Sequence, residues 1–141
     1  MKHRNHKDET PSLRESAYLV ERILRKLCQE KVFPKRSRWV IAQKIADTAN
    51  EYLTAVIEAN DPKVQTEELR ERRFTLQQIA LGKLSALDVL INMAIRVLSL
   101  KPENFKDIAD RIITCEKLLK AWIASDEKRY GPPSGAERYR E

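Results

Sequence analysis

The sequence has few of the residues that break helices or form tight β-turns. Its 141 residues include 3 Gly and 6 Pro. Neither Asn-Gly nor Asp-Gly, the strongest hairpin signals, occurs. No apolar run reaches the roughly 18 residues of a transmembrane candidate, and the basic N-terminus leads into Asp8 and Glu9 without the apolar segment of a secretory signal. These absences favour an all-α fold and predict neither strands nor a membrane partner.

Residues and motifs that carry enzyme chemistry are also scarce. The two histidines, His3 and His6, have no Cys, Asp or Glu cluster to complete a metal site. Gly82 stands alone, so there is no glycine-rich phosphate loop, and no Ser, Thr or Cys has a His placed to activate it. We therefore expect no enzymatic activity, cofactor, metal or small-molecule substrate. Cys28 and Cys115 lie beside predicted apolar seams, which indicates buried free thiols and a reducing compartment, the cytoplasm.

Hydrophobic periodicity predicts four helices. Ser12 and Glu15 have the spacing of a capping box and open the first helix. Thr66 is a plausible N-cap of the third helix, with two glutamates in the first turn where they favour the helix dipole. Pro residues mark the starts of the second and fourth helices. The predicted helices span residues 12–30, 34–59, 66–101 and 102–125, and Lys101-Pro102 closes the third of them.

Four amphipathic helices with short connections pack most simply as an antiparallel up-down-up-down four-helix bundle. We expect this bundle over residues 12–125, preceded by a flexible basic arm at 1–11. Residues 126–141 are rich in Gly, Pro and charge, and are predicted to be a disordered tail. The predicted seam of the first helix is Leu13, Ala17, Val20, Leu24 and Leu27. That of the second is Ile41, Ile45, Ala49, Tyr52, Val56 and Ala59.

Positive charge is concentrated in one stretch of the chain. Between residues 22 and 44, eight Lys or Arg residues stand against a single Glu, whereas the rest of the chain is close to neutral. Lys35, Arg36 and Arg38 crowd a predicted helix start, where each cation opposes the dipole by about 0.3–1 kcal/mol. The pattern indicates a phosphate-binding surface for nucleic acid; the alternative is a solvated basic turn neutralised by acidic residues elsewhere. The candidate residues are Arg22, Arg25, Lys26, Lys31, Lys35, Arg36, Arg38 and Lys44.

Three further cations lie in or beside the apolar seam of the third helix. Arg73 occupies the seam itself, and Lys83 and Arg96 flank it. In an isolated bundle such side chains extend to the rim and keep their charge in water. In a ring of subunits they would instead line a channel or a subunit interface. Periodicity leaves both alternatives open, and all three residues are candidates for nucleic-acid binding.

One set of segments carries a family resemblance. These are Phe-Pro-Lys-Arg-Ser-Arg at 33–38, Ile-Ala-Gln-Lys-Ile at 41–45 and Ala-Val-Ile-Glu-Ala-Asn at 55–60. On these residues the chain resembles the accessory variability determinant proteins of diversity-generating retroelements. It also resembles the wider family of four-helix-bundle proteins found in intervening sequences of bacterial 23S ribosomal RNA genes. The similarity covers roughly residues 13–125.

The resemblance implies a homopentameric ring that binds nucleic acid, whether RNA, DNA or a hybrid. It further implies a non-catalytic partner of a retroelement reverse transcriptase in mutagenic cDNA synthesis. Arg96 matches an Arg in the charged pattern of that family's third helix, whereas Asn92 replaces another.

A second interpretation is a self-assembling structural or interaction protein of the ribosomal intervening-sequence type, with no reverse transcriptase partner. A helix-turn-helix DNA binder is disfavoured, because no compact helix pair with a short Gly-containing turn is present. In the self-assembly interpretation, apolar residues left outside one bundle core serve oligomer contacts only. They include Tyr18, Phe74, Ile79, Ile95 and Val97.

Overall fold

The computed structural model describes residues 9–132, apart from the side chains of residues 37–39. This part of the chain is all-helical, contains no strand, and forms a four-helix bundle, as the sequence predicts. The predictions for the arm before residue 9 and for the tail after residue 132 lie outside the described residues, as does that for His3 and His6. The helices are α1 (Pro11–Leu27), α2 (Gln43–Ala59), α3 (Glu67–Val97) and α4 (Lys106–Tyr130).

Each helix packs against two others. Helix α1 contacts α2 and α4, and α3 likewise contacts α2 and α4. The core between them holds large side chains that are almost fully buried, among them Leu19, Phe33, Tyr52 and Leu84. Burying such side chains contributes about 1.5–3 kcal/mol each, which is the main source of stability in a bundle of this size.

Helix α1 begins earlier, and faces the core with a different stripe, than the sequence predicts. Thr10, rather than Ser12, is the N-cap, because the Thr10 hydroxyl accepts the Leu13 amide at 3.1 Å. Ala17 of the predicted seam is exposed, whereas Ser16 is buried. Polar Ser16 can face the core because its hydroxyl hydrogen-bonds the Tyr52 hydroxyl of α2.

The helical chain that leads into α2 is not α-helical at its start. A 3₁₀ turn, Lys35–Ser37, and a π turn, Arg38–Ala42, precede the α-helix, which begins at Gln43 rather than at Pro34. Pro34 interrupts the helical pattern, as predicted, but it does not begin a regular α-helix. The six predicted seam residues of this helical segment are all buried, so its face is predicted correctly.

Helix α3 has the cap predicted for it, since the Thr66 hydroxyl accepts the Leu69 amide at 3.2 Å. Among the helices described, it alone is long and apolar enough to cross a membrane by length and composition. An 18-residue window has a mean hydropathy of 1.4, and 28% of that window is buried inside the bundle. Core helices of water-soluble proteins meet the same criterion. The low buried share shows that α3 presents much apolar surface outward.

Helix α4 extends further than predicted. A 3₁₀ turn at Pro102–Phe105 leads into it, and the helix runs to Tyr130, five residues into the segment predicted to be disordered. The extension is stabilised by contacts that the local composition does not reveal. Asp126 pairs with Arg73 of α3. The guanidinium carbon of Arg70 lies 4.9 Å from the ring centre of Tyr130.

The two cysteines differ in burial. Cys115 is buried, as predicted, and burial raises the pKa of its thiol. Cys28 is exposed, so that part of the prediction is wrong. The reason is that α1 ends at Leu27 and Cys28 falls in the turn that follows, away from the buried stripe.

Candidate nucleic-acid interface

The connection between α1 and α2 carries four of the eight predicted phosphate-binding residues of the basic stretch. Phe33 fixes this connection to the bundle, because its side chain is 0% exposed and belongs to the core. The amides of Val32 and Phe33 both donate to the Gln29 carbonyl, at 3.0 and 2.8 Å. The basic residues around Phe33 are therefore carried on an anchored segment.

Five of the candidate cations are available to a ligand. Three lie on the connection, one in the last turn of α1 and one at the start of α2. Lys31, Lys35, Arg36 and Lys44 are exposed, and Lys26 is partly exposed. Across residues 9–132, no carboxylate lies within ion-pair distance of the five, which are Lys26, Lys31, Lys35, Arg36 and Lys44. The side chain of Arg38 lies outside the described residues.

The two remaining candidates of this stretch are engaged by acidic residues. Arg22 pairs with Asp107 of α4, and Arg25 pairs with Glu21 at 2.8 Å, which raises the pKa of Arg25. Desolvation alone would raise the pKa of Asp107, but hydrogen bonds and charge from Arg22 and Arg111 together lower it. The alternative of neutralisation by acidic residues thus holds for these two arginines. It holds in part for Lys44, whose charge helps Lys83 to lower the pKa of Glu51, and not for the other four cations above.

An aromatic side chain lies beside this charged cluster. Tyr18 is about half exposed, and its ring centre lies 4.4 Å from the Arg111 guanidinium carbon and 5.9 Å from that of Arg22. Arginine beside an exposed aromatic ring is a combination that stacks on nucleic-acid bases. In the self-assembly interpretation of the sequence, Tyr18 serves oligomer contacts only. The spacing of Tyr18 and Arg22 was a signal for the aromatic contact, since residues four apart share a helix face.

Arg73 of α3 points into the bundle. Its side chain is 15% exposed and that of Asp126 is 18% exposed, with 3.0 Å between Nε and Oδ2. The Nε–H is not aligned for a hydrogen bond, but Nη2 donates to Asp126 Oδ1 at 3.1 Å. The buried Gln77 amide donates to the other carboxylate oxygen at 3.0 Å, and the guanidinium also lies 4.9 Å from the Trp122 ring centre. Arg73 is thus held in an internal ion pair, not on the exposed surface.

The other two candidate cations of α3, Lys83 and Arg96, are more exposed to solvent than Arg73. Lys83 pairs with Glu51 of α2 at 2.5 Å, and the hydrogen bond from Lys83 lowers the pKa of Glu51. Arg96 is exposed and has no ion-pair partner within residues 9–132. Of the three, Arg96 therefore has the geometry expected of a phosphate contact.

A metal cluster and a ligand cavity are the remaining kinds of site to consider within the described residues. No group of three His, Cys, Asp or Glu side chains within residues 9–132 could hold a metal ion. A cavity of about 150 Å³ lies between the start of α3 and the end of α4. Among the polar groups at its wall, Arg73 and Gln77 both donate to Asp126. The other polar residues that line it are Glu67, Arg70, Glu71, Glu127 and Tyr130.

No model of a known protein family matches the chain. No curated protein matches it either. The class that the fold and the surface define is a four-helix bundle with an exposed basic connection between α1 and α2.

Proposed function

We propose that this protein is a non-catalytic, nucleic-acid-binding accessory subunit that partners a retroelement reverse transcriptase in mutagenic cDNA synthesis in the cytoplasm. One observation carries the nucleic-acid part of the proposal. Five cations between residues 26 and 44 form no ion pair within residues 9–132, and three of them lie on a connection that Phe33 anchors to the core. Like-charged side chains without carboxylate partners repel one another, so their clustering is best explained by a polyanionic ligand.

We also propose that the helices run antiparallel, up-down-up-down. Three long-range contacts support this arrangement, because each joins the start of one helix to the end of a neighbour. The Thr10 amide donates to Asn60 Oδ1 at 3.2 Å, Arg22 pairs with Asp107, and Arg73 pairs with Asp126.

The antiparallel arrangement would enlarge the basic surface. It would bring the end of α3 and the start of α4 to the same end of the bundle as the α1–α2 connection. Arg96, Lys101 and Lys106, all exposed, would then add to the five cations. Such a surface would bind mainly through phosphates and show little base preference, with Tyr18 offering a stacking contact at its side.

The partner and the stoichiometry in this proposal rest on the family resemblance. The resemblance implies self-assembly into a homopentameric ring and association with the reverse transcriptase. A ring would present five copies of the basic surface side by side. Several weak phosphate surfaces on one particle bind a long polyanion much more tightly than one, which suits a protein that must follow a nucleic-acid template.

Fluorescence anisotropy with labelled RNA, DNA and hybrid duplexes, titrated across salt, tests the nucleic-acid part. Wild type should show log Kd rising with log salt, with a slope of about 0.7–0.9 per phosphate contact. The triple variant Lys31→Glu, Lys35→Glu, Arg36→Glu should lose most of the affinity and flatten the slope by about 2–3 units.

A matched triple variant, Lys63→Glu, Lys117→Glu, Lys128→Glu, serves as the control. It changes the net charge by the same amount at exposed lysines outside the basic stretch. It should keep most of the wild-type affinity and slope. Equal losses in the two triple variants would mean that net charge alone drives binding, and the proposed surface would be wrong.

Co-purification with a reverse transcriptase encoded beside the gene tests the partnership. The two proteins should associate at low salt, with and without nuclease treatment. No association, with both proteins folded, would remove the partnership from the proposal. It would leave the nucleic-acid surface to be judged by the anisotropy experiment.

A second candidate function is self-assembly alone, without a reverse transcriptase. The outward apolar surface of α3 favours this candidate, because such a surface needs a partner that is not nucleic acid. Undetectable binding to all three nucleic acids at low salt would place it first.

A further inference from the structure

The outer face of α3 is apolar over most of its length. Ile79, Val89, Met93 and Val97 are 45%, 62%, 39% and 64% exposed. With the exposed small residues Gly82 and Ala86 they follow the spacing 3-4-3-4-4, which keeps them on one stripe. Between residues 78 and 97, Arg96 is an exposed charged residue, whereas Lys83, which pairs with Glu51, and Asp88 are partly exposed. The stripe resembles the seam of a helix that packs against another helix.

Gly82 gives a second, independent observation. A glycine inside a long helix is destabilising relative to Ala. Within the described chain nothing requires it, because a Cβ built at Gly82 would meet no atom within 4 Å. A glycine at an exposed helix position allows another helix backbone to approach closely. The space beside Gly82 is therefore open to a helix from outside the bundle.

The order of residue sizes along the stripe identifies that helix. The N-terminal half of the stripe carries the small residues Gly82 and Ala86, and the C-terminal half carries Val89 and Met93. A second copy of α3 laid antiparallel, with its twofold axis between residues 87 and 88, sets each small residue against a large one. Gly82 then faces Met93 of the second copy, Ala86 faces Val89, and the same contacts recur across the axis. This reciprocity is what a twofold interface requires.

Charge supports the antiparallel orientation. In a parallel pair the two Arg96 side chains would lie side by side. In the antiparallel pair they are about 26 Å apart at a rise of about 1.5 Å per residue, well beyond the roughly 8–10 Å over which exposed charges interact. A nucleic acid, which needs cations, has no match on this stripe.

We propose that two copies of the chain pair through the α3 stripe, antiparallel and about a twofold axis, with Gly82 of each copy packed against Met93 of the other. This inference deepens the self-assembly part of the proposed function. It is a different contact from the one that would close a ring, because a face that pairs with itself joins two subunits and cannot generate a five-membered ring. One helix pair buries an area at the low end for specific interfaces, so the association should be weak unless ring formation multiplies it.

Cysteine cross-linking in the full chain tests the register directly, in a Cys28→Ser background. Gly82→Cys and Met93→Cys chains should form disulfide-linked dimers when mixed. Either chain alone should not, since the paired positions are then about 16 Å apart or more, beyond disulfide reach. Ala109→Cys mixed with Lys120→Cys, an exposed pair with the same spacing on α4, is the matched control and should remain uncross-linked.

The masses of native particles complete the test. Gly82→Leu has room in the folded subunit and should fold like wild type, but it should weaken the α3 contact about tenfold or more. If the ring also exists, native mass spectrometry should show ten copies for wild type and five for Gly82→Leu. If the chain forms no ring but the α3 contact is correct, wild type should contain two copies and Gly82→Leu one. Failure of the ring and failure of the α3 contact therefore give different masses.

Other occupants would give different results. Cross-linking in Gly82→Cys alone as efficient as in the mixture would overturn the antiparallel register. Binding of wild type, but not of Val89→Glu, to phosphatidylcholine vesicles without any mixed cross-link would show that lipid covers the stripe. Burial of the stripe by a co-purified reverse transcriptase, again without the mixed cross-link, would overturn the second copy as its partner.

Discussion

The internal ion pair of Arg73 and Asp126 yields a prediction with a definite magnitude. Asp126→Ala removes one carboxylate that accepts from Arg73 at 3.1 Å and from Gln77 at 3.0 Å. Gln77 is 1% exposed, and leaving its amide unpaired costs about 1–3 kcal/mol. Breaking a fully buried ion pair by removing one partner costs about 3–5 kcal/mol. Because Arg73 and Asp126 keep 15% and 18% exposure, water relieves part of this.

We therefore expect Asp126→Ala to lower the free energy of unfolding by about 3 kcal/mol. For a chain of this length that is a fall in Tm of roughly 10 °C. Urea unfolding followed by far-UV circular dichroism gives the free energy. Asp110→Ala, at an exposed position of the same helix, is the control and should stay within about 0.5 kcal/mol of wild type.

A functional measurement accompanies the stability measurement. Arg73→Met should also be destabilising, yet its nucleic-acid affinity should equal that of wild type when folded fractions are matched. If Asp126→Ala costs no more than Asp110→Ala, the Arg73 side chain is solvated and the internal pair does not persist in solution. If Arg73→Met weakens nucleic-acid binding selectively, Arg73 belongs to the binding surface after all.

Two further predictions concern the α1 side of the core. Thr10→Ala should lower the free energy of unfolding by about 1 kcal/mol through loss of the N-cap. Ser12→Ala should be neutral or stabilising, because the buried Ser12 hydroxyl has no partner within the described residues. Thermal unfolding compares the two variants, and a larger loss for Ser12→Ala would show that Ser12 is the cap after all. Tyr52→Phe should cost about 1–2 kcal/mol at neutral pH, because it removes the buried hydroxyl that hydrogen-bonds Ser16 and the Cys115 thiol. Burial raises the pKa of Tyr52, so the contribution of Tyr52 to stability is complete below about pH 10 and falls as the pH rises above that value. Urea unfolding between about pH 9 and 11 should show this loss of stability in wild type and a smaller loss in Tyr52→Phe. Equal pH profiles for the two proteins would contradict the burial of the phenol.

The helices were predictable where their signals are local. The Thr66 cap and Pro102 lie within a few residues of the starts of α3 and α4, so the sequence shows these boundaries directly. Pro34 is farther from the start of α2, which begins at Gln43. The α1 cap was assigned to Ser12 because its spacing to Glu15 fits a capping box. In the fold Ser12 is buried and Thr10 takes that role. Whether a hydroxyl faces the solvent or the core depends on packing, which no short motif encodes.

The candidate site was predictable in position and not in its electrostatics. Clustering of cations between residues 22 and 44 is visible along the chain, but the partner of Arg22 is Asp107, 85 residues away. Arg73 was identified as an anomaly of an apolar seam, and its partner Asp126 lies in a segment whose composition predicted disorder. The end of α4 is ordered by that long-range pair, so composition alone placed the boundary too early.

Because the two cysteines differ in burial, their rates of chemical modification report different events. A cysteine thiolate attacks an electrophilic thiol reagent at a rate that depends on the access of the reagent to the sulfur. Cys28 lies at the surface, whereas Cys115 is buried beside Tyr52 and burial raises the pKa of its thiol. Modification of Cys28 therefore reports the time of exposure to the reagent, and modification of Cys115 counts the openings of the bundle during that time. The ratio of the two in one chain measures how often the folded core opens, in a test tube or in a cell, without any added label.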